Sequence, residues 1–199
     1  TLEQTYSGKK DIAELMKKRD REPVHVKFND LSELCTTVAR MGAERMLVKE
    51  NIPYYTIINH GWFPLRFNFT DFSLLGKLNT NYHNSMCIIV QNTPFDRWIC
   101  QQYRSTNETN GGYTIIDPTI GPIQEDVISH GNYVTRMKFS NETIAFLDKT
   151  YKEIHGLQDL LKFYYKNKMN SFKPEIELVT ERNPVLVQLI EEKVKKHME

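Results

Sequence analysis

Residues 83–122 read HNSMCIIVQNTPFDRWICQQYRSTNETNGGYTIIDPTIGP, and this stretch predicts three consecutive strands. Met86–Gln91 is a continuous apolar run, which is typical of a strand buried on both faces. Arg97–Arg104 is rich in aromatic and β-branched residues, which favours a second strand. Tyr113–Ile116 is a third short strand that follows a glycine turn. The stretch therefore predicts the centre of a β-sheet.

Before and after residues 83–122, the spacing of apolar residues predicts further strands and several helices. Alternating apolar residues predict strands or extended segments at Val24–Phe28, Tyr54–Ile58, Phe63–Phe69, Asn132–Phe139, Thr143–Leu147 and Phe172–Val179. Apolar residues at helical spacing predict helices at Lys9–Arg21, Leu31–Lys49, His155–Lys168 and Asn183–Met198. The expected core comprises Leu34, Val38, Ile88, Val90, Ile99, Ile115, Phe146, Leu157 and Leu160.

The predicted fold class is α+β, with a mainly antiparallel sheet. A long helix in the N-terminal half and C-terminal helices are expected to pack on that sheet. Residues 1–199 are expected to form a single domain, in which residues 172–199 could form a C-terminal helical arm against the same chain or a second copy. The oligomeric state is left open.

Composition excludes several classes of protein. The 199 residues are 40% hydrophobic and 26% charged, with a net charge of +1, so no global field attracts nucleic acid. No apolar run is long enough for a transmembrane helix. The first residues lack the apolar segment of a signal peptide, and three cysteines without close pairing favour a reducing compartment such as the cytoplasm. We therefore expect a soluble protein with no membrane or nucleic-acid partner.

The candidate catalytic residues are Cys35, His83 and Asp117. A cysteine nucleophile needs a histidine that stabilises its thiolate, and a third polar group that orients the imidazole. Cys35 on a predicted helix, His83 before the first central strand and Asp117 after the third supply these parts. No histidine or cysteine cluster has metal-ligand spacing and no glycine-rich phosphate loop precedes a helix, so neither a metal nor a cofactor is expected.

Two motifs resemble a known superfamily. Cys35-Thr-Thr-Val-Ala39, followed by Ile52-Pro53, is similar to the cysteine helix of transglutaminase-like and papain-like hydrolases. Asp117-Pro118-Thr119 is similar to the aspartate segment of that superfamily, and the resemblance covers roughly residues 31–121. It implies a cysteine hydrolase or acyltransferase that acts on an amide or thioester of a protein or peptide. Cys35 would then be the nucleophile, His83 the base and acid, and Asp117 the orienting carboxylate.

Other interpretations of the same residues stay open. Cys35 could be a small apolar core residue, His83 could cap a strand, and Asp117-Pro118 could be a simple turn. Tyr151–Tyr165, preceded by strands, resembles the end of a Src-homology-2 module of a transcription elongation factor. That resemblance implies a non-catalytic peptide-binding module with its groove beside Arg97–Arg104.

Overall fold

A computed structural model describes residues 20, 22–31, 33, 34, 37, 52–61, 85–107, 113–166 and 172–198, without the side chains of 103–107 and 164. Several predicted elements lie wholly or partly outside these residues. They are the helix at Lys9–Arg21, the strand at Phe63–Phe69 and the part of the Leu31–Lys49 helix beyond Thr37.

The described residues form one seven-stranded sheet with helices on both of its faces. The strands are β1 (Val24–Phe28), β2 (Tyr54–Ile58), β3 (Met86–Ile89), β4 (Tyr113–Ile116), β5 (Asp126–His130), β6 (Tyr133–Phe139) and β7 (Ile176–Arg182). Their order in the sheet is β1-β7-β6-β5-β2-β3-β4. The helices are α1 (Pro94–Asn107), α2 (Asn141–Glu153), α3 (Leu157–Tyr165) and α4 (Pro184–Met198), with a 3-10 turn at Pro118–Ile120.

The sheet is mixed, which corrects the prediction of a mainly antiparallel sheet. β2, β3 and β4 pair in parallel, and the remaining pairs are antiparallel. For β3 and β4 the cause is α1, because this helical crossover brings the chain back to start β4 in the direction of β3. The α+β class is confirmed in this broader form.

Two predicted strands are helices. Residues 97–104 lie within α1, and residues 143–147 lie within α2. In both cases a helix-capping residue precedes the segment: Thr93 before α1 and Ser140 before α2. The capping hydrogen bonds and the tertiary packing therefore override the local β-propensity of these residues.

The core has one layer on each face of the sheet. α1, α2 and α3 contribute Phe95, Ile99, Tyr151 and Leu160 to one layer, together with the buried residues of β1. α4 contributes Val187, Ile190 and Val194 to the other layer. Of the predicted core, Leu34, Ile88, Val90, Ile99 and Leu160 are buried.

Leu157 was expected in the core, but it is 47% exposed. On α4 the buried stripe is formed by Val187, Ile190 and Val194, and the neighbouring Val185 and Leu189 are 69% and 57% exposed. Among the described helices, none is both long enough and apolar enough to cross a bilayer.

Candidate functional site

Five of the seven strands end at the same end of the sheet. β1, β2, β3, β4 and β6 run in one direction, and β5 and β7 run in the other. We call this the carboxyl end of the sheet, defined by the last residues of those five strands: Phe28, Ile58, Ile89, Ile116 and Phe139. Open α/β sheets bind ligands beyond the carboxyl ends of their strands, so the residues that follow these five strands are the ones to inspect.

His60 follows β2 and is bonded through both ring nitrogens. Its Nδ1 lies 3.0 Å from Oδ2 of Asp96, and its Nε2 lies 2.9 Å from Oδ1 of Asp148. The imidazole is buried at 4% exposure, and its ring centroid lies 4.3 Å from that of Tyr151. The Tyr151 hydroxyl donates to the carbonyl of Gly61 at 3.0 Å. His60 therefore joins the end of β2 to α1 and α2.

Asp96 is held in place by the start of α1. Its carboxylate accepts hydrogen bonds from the Thr93 backbone N–H at 3.2 Å and from the Thr93 hydroxyl at 2.7 Å. The Asp96 N–H donates back to the Thr93 hydroxyl, which completes a reciprocal capping box. Gly61 N–H also donates to this carboxylate. Asp96 is fully buried, and these donors replace the water that it has lost.

The electrostatics of His60 favour the imidazolium. Burial alone would lower its pKa, but the hydrogen bond and charge of Asp96, followed by those of Asp148, outweigh burial and raise the pKa above its ordinary value. A histidine whose two nitrogens both donate to carboxylates has no free lone pair. His60 in this state cannot accept a proton as a general base.

Of the three predicted site residues, only Asp117 lies within the described residues. Cys35 and His83 lie outside them, so the distances within the predicted triad stay predictions. Leu34, which precedes Cys35, belongs to the core layer on the face opposite α4. Asp117 meets the last turn of α4 through a 2.6 Å contact between Oδ2 and Nδ1 of His197.

The carboxylate of Asp117 is ionised where it contacts the imidazole of His197. It caps the 3-10 turn and accepts hydrogen bonds from the Thr119 backbone N–H at 2.9 Å and the Thr119 hydroxyl at 2.5 Å. The hydroxyl of Thr119 is the largest influence that lowers the pKa of Asp117, and His197 lowers it further. His197 is 25% exposed. Because Nδ1 faces the carboxylate, Nε2 is the nitrogen through which this pair could exchange a proton.

The two described thiols are poorly suited to nucleophilic chemistry. Burial of its thiol raises the pKa of Cys87 to about 12. Cys100 is buried at 4% exposure, and its Sγ lies 3.4 Å from the carbonyl oxygen of Thr114. A thiol needs its ionised form to attack a substrate, so neither residue replaces Cys35 as a candidate nucleophile.

A groove of about 390 Å³ opens at the carboxyl end, where β1 and β6 end and β7 begins. Charges of both signs line it, because Lys27 and Lys138 are the register partners of Glu177 on its two sides. The other lining residues are Phe28, Asn29, Phe139, Ser140, Glu175 and Ile176. Its size lies within the roughly 300–1,000 Å³ of ligand pockets.

The sequence contains a signal for only part of this arrangement. Thr93-Pro94-Phe95-Asp96 has a capping residue, a proline at the first helical position and a carboxylate three residues after the cap, which together indicate a helix start. His60 and Asp148 lie 88 residues apart, and no local pattern relates them. The groove depends on the pairing of β1 with β7, whose residues are even farther apart in sequence.

Comparison with known proteins gives little similarity. No family model matches the chain, and no curated protein matches it. One similar solved structure is that of TrmBL2, described as an archaeal chromatin protein with a novel mode of DNA binding. The identity is 11% and the TM-score 0.44, over 94% of this chain and 56% of that chain. This chain thus spans little more than half the length of that one.

The neighbour bears on one prediction. The expectation that nucleic acid is not a partner is contradicted by this DNA-binding protein, and it is withdrawn. A likeness of this degree carries no argument for DNA binding by the present chain.

Proposed function

We propose that this chain is a non-catalytic binding domain, and that it holds a short peptide segment of mixed charge in the groove at the carboxyl end of the sheet. The observation that carries the proposal is the lining of the groove, in which lysines and glutamates stand side by side over the ends of three strands. This keeps the binding-module interpretation but moves its groove away from residues 97–104, which lie on α1.

The spacing of charges favours a peptide. Register partners on neighbouring strands stand next to each other, so Lys27, Glu177 and Lys138 form a row across three strands. Strands lie about 4.8 Å apart, which places the lysine backbones roughly 10 Å from each other. An extended peptide covers that span with about three residues. An acidic side chain of the peptide would meet Lys138.

The glutamates argue against a uniformly anionic ligand. Glu175 and Glu177 both line the groove, and each would attract a cationic side chain of the ligand and repel an anionic one. Glu177 is in contact with Nδ1 of His25 at 3.2 Å, which leaves Glu175 as the carboxylate available to a cationic side chain. A peptide that carries both signs of charge matches this lining.

Titration with one peptide tests the proposal. The probe is a synthetic segment in which glutamate and lysine flank a leucine, and the readout is the backbone amide shifts of the ¹⁵N-labelled chain. We expect shifts centred on residues 27–29, 138–140 and 175–177. Lys138→Glu should abolish them, whereas Lys162→Glu, a charge reversal at an exposed pair on α3, should leave them intact.

Two outcomes would contradict this function. One is an unchanged spectrum at saturating peptide. The other is a response that a short DNA duplex reproduces at the same residues, since it would assign the groove to nucleic acid instead of peptide.

A second candidate function is hydrolysis, and the contact between Asp117 and His197 favours it. Asp117 would orient the imidazole as the sequence predicted, but the imidazole would be that of His197. Nε2 would take a proton from a water molecule as the water oxygen attacks the acyl carbon of an ester or thioester. The tetrahedral intermediate would then break its bond to the alcohol or thiol, and this leaving group would receive the proton from Nε2, which leaves a carboxylic acid as the second product. Turnover of a thioester or ester probe by the intact chain tests this candidate, and loss of that turnover in Asp117→Asn with binding of the peptide unchanged would separate the two functions.

A further inference from the structure

His60 has a carboxylate at each ring nitrogen: both oxygens of Asp96 contact Nδ1, and Oδ1 of Asp148 contacts Nε2. An ionised carboxylate accepts hydrogen bonds and cannot donate them, so both nitrogens must carry a proton for both contacts to be attractive. We propose that His60 is a proton-operated latch, which ties α2 to the end of β2 when it is charged and releases it when it is neutral. This inference is independent of the proposed function.

The two carboxylates that contact His60 differ in burial and in the number of their hydrogen bonds. Asp96 is fully buried and also binds Gly61 N–H and both donor groups of Thr93. Asp148 lies on α2 with 43% of its side chain exposed. Loss of the bond at Nδ1 would weaken the solvation of a buried charge, whereas Asp148 can turn into water at small cost. The proton therefore leaves from Nε2, and Asp148 is the partner that is released.

The latch acts on α2 because Asp148 lies one turn before Tyr151. Tyr151 is fully buried, and its hydroxyl donates to the Gly61 carbonyl. Within the described residues, the titratable groups facing His60 are Asp96 from α1, and Asp148 and Tyr151 from α2. Tyr151 keeps its own contact when Asp148 leaves, so release loosens one side of α2 while the helix remains in place.

The direction of the pH response follows from the raised pKa of His60. When the pKa of a group is higher in the folded state than in the unfolded state, protonation of that group stabilises the fold. This stabilisation is complete at pH values below the unfolded-state pKa, which is about 6.5 for histidine. That stabilisation is lost as the pH rises through the higher folded value. The latch is thus closed below about pH 6.5, and it opens as the pH rises through the higher folded-state pKa of His60.

Nitrogen-detected NMR of the intact chain tests the charge state directly. With ¹⁵N-labelled histidine, His60 should show two protonated ring nitrogens at pH 6, below the ordinary histidine pKa of about 6.5, and only Nε2 should lose its proton as the pH is raised. Asp148→Asn should shift that titration to lower pH. It should also increase hydrogen exchange, corrected for the intrinsic rate, at the α2 amides around residue 148. Asp148 is partly exposed, so this variant should fold.

His25→Gln is the matched control, because His25 also contacts a carboxylate, that of Glu177, but lies 58% exposed. It should leave both the His60 titration and the exchange of α2 unchanged. A single ring proton on His60 at pH 6 would overturn the latch. Equal α2 exchange in wild type and Asp148→Asn at that pH, where the wild-type latch is closed, would overturn it as well.

Discussion

His60 and Asp96 lie 36 residues apart in the sequence and share a contact of 3.0 Å inside the protein. The same carboxylate closes the capping box of α1 with Thr93. One buried side chain therefore sets both where the helix begins and how the imidazole is oriented, so a change at Asp96 acts on two elements at once.

Asp96→Asn should be among the most destabilising polar substitutions in this chain. The amide nitrogen would meet groups that donate, and His60 would lose a charged partner in a buried site. Breaking a buried pair in this way costs about 3–5 kcal/mol. Chemical denaturation measures the free energy of unfolding. Asp148→Asn, at the exposed side of the same ring, should cost clearly less, and equal losses would contradict the assigned burial.

Gly61→Ala should destabilise the protein through a steric clash. An added Cβ would lie 2.7 Å from Cγ2 of Ile99, a buried core residue that cannot move freely. Overpacking of this kind costs typically about 1–3 kcal/mol. At Gly156 the nearest atom would be Cδ1 of Trp98 at 3.6 Å, an ordinary contact. Gly156→Ala should therefore leave the thermal midpoint close to wild type.

Leu160→Ala should cost roughly 2–5 kcal/mol, the usual range for emptying a buried leucine site. Leu160 is 1% exposed, whereas Leu157 on the same helix is 47% exposed. Leu157→Ala provides the control, since it removes the same atoms from a half-solvated position. If the two variants unfold at the same denaturant concentration, α3 does not present the face described here.

Asp117→Asn should loosen the last turn of α4. The carboxylate is ionised at neutral pH because its pKa is lowered, so its contribution is present above the unfolded value of about 3.9 and is lost as the pH falls through the folded value. Hydrogen exchange of the amides near His197 should rise in the variant at neutral pH. Wild type should approach the variant in strong acid, and persistence of the difference there would contradict the assignment.

Cys87 and Cys100 should resist iodoacetamide near neutral pH while the protein is folded. Cys87 has a pKa of about 12, and Cys100 is buried. Mass spectrometry after a short labelling pulse, with a denatured sample as control, measures each site. Rapid modification of either residue in the native protein would contradict its described environment. Faster labelling of Cys35 would support its predicted activation.

Local patterns were sufficient for most of the strands. Val24–Phe28, Tyr54–Ile58 and Tyr113–Ile116 have the predicted bounds, because one side of each strand must face a core. Ile88 and Ile89 are both fully buried, as their continuous apolar run predicted. The last helix is also confirmed, with Asn183 as its cap and Pro184 as its first residue.

The errors arose where local preference and tertiary packing disagreed. Trp98, Ile99 and Cys100 favour a strand locally, but Phe95 and Ile99 are four residues apart and are buried together on one face of α1. Because these residues were predicted as a strand, the prediction lacked the crossover helix α1. It therefore also lacked the parallel pairing of β3 and β4. The His60 cluster was missed for a different reason, since its partners come from two helices that the tertiary fold brings together.

The pairing of β1 with β7 has a consequence for biosynthesis. Val24 faces Thr180 and Phe28 faces Ile176, and among the described strands β7 is the sole neighbour of β1. During translation β1 is made more than a hundred residues before this partner. Until β7 is made, the backbone groups of β1 that pair with it lack their native hydrogen-bond partners, and long-range pairing of this kind slows folding. Completion of the sheet is thus a late event that follows translation of Arg182.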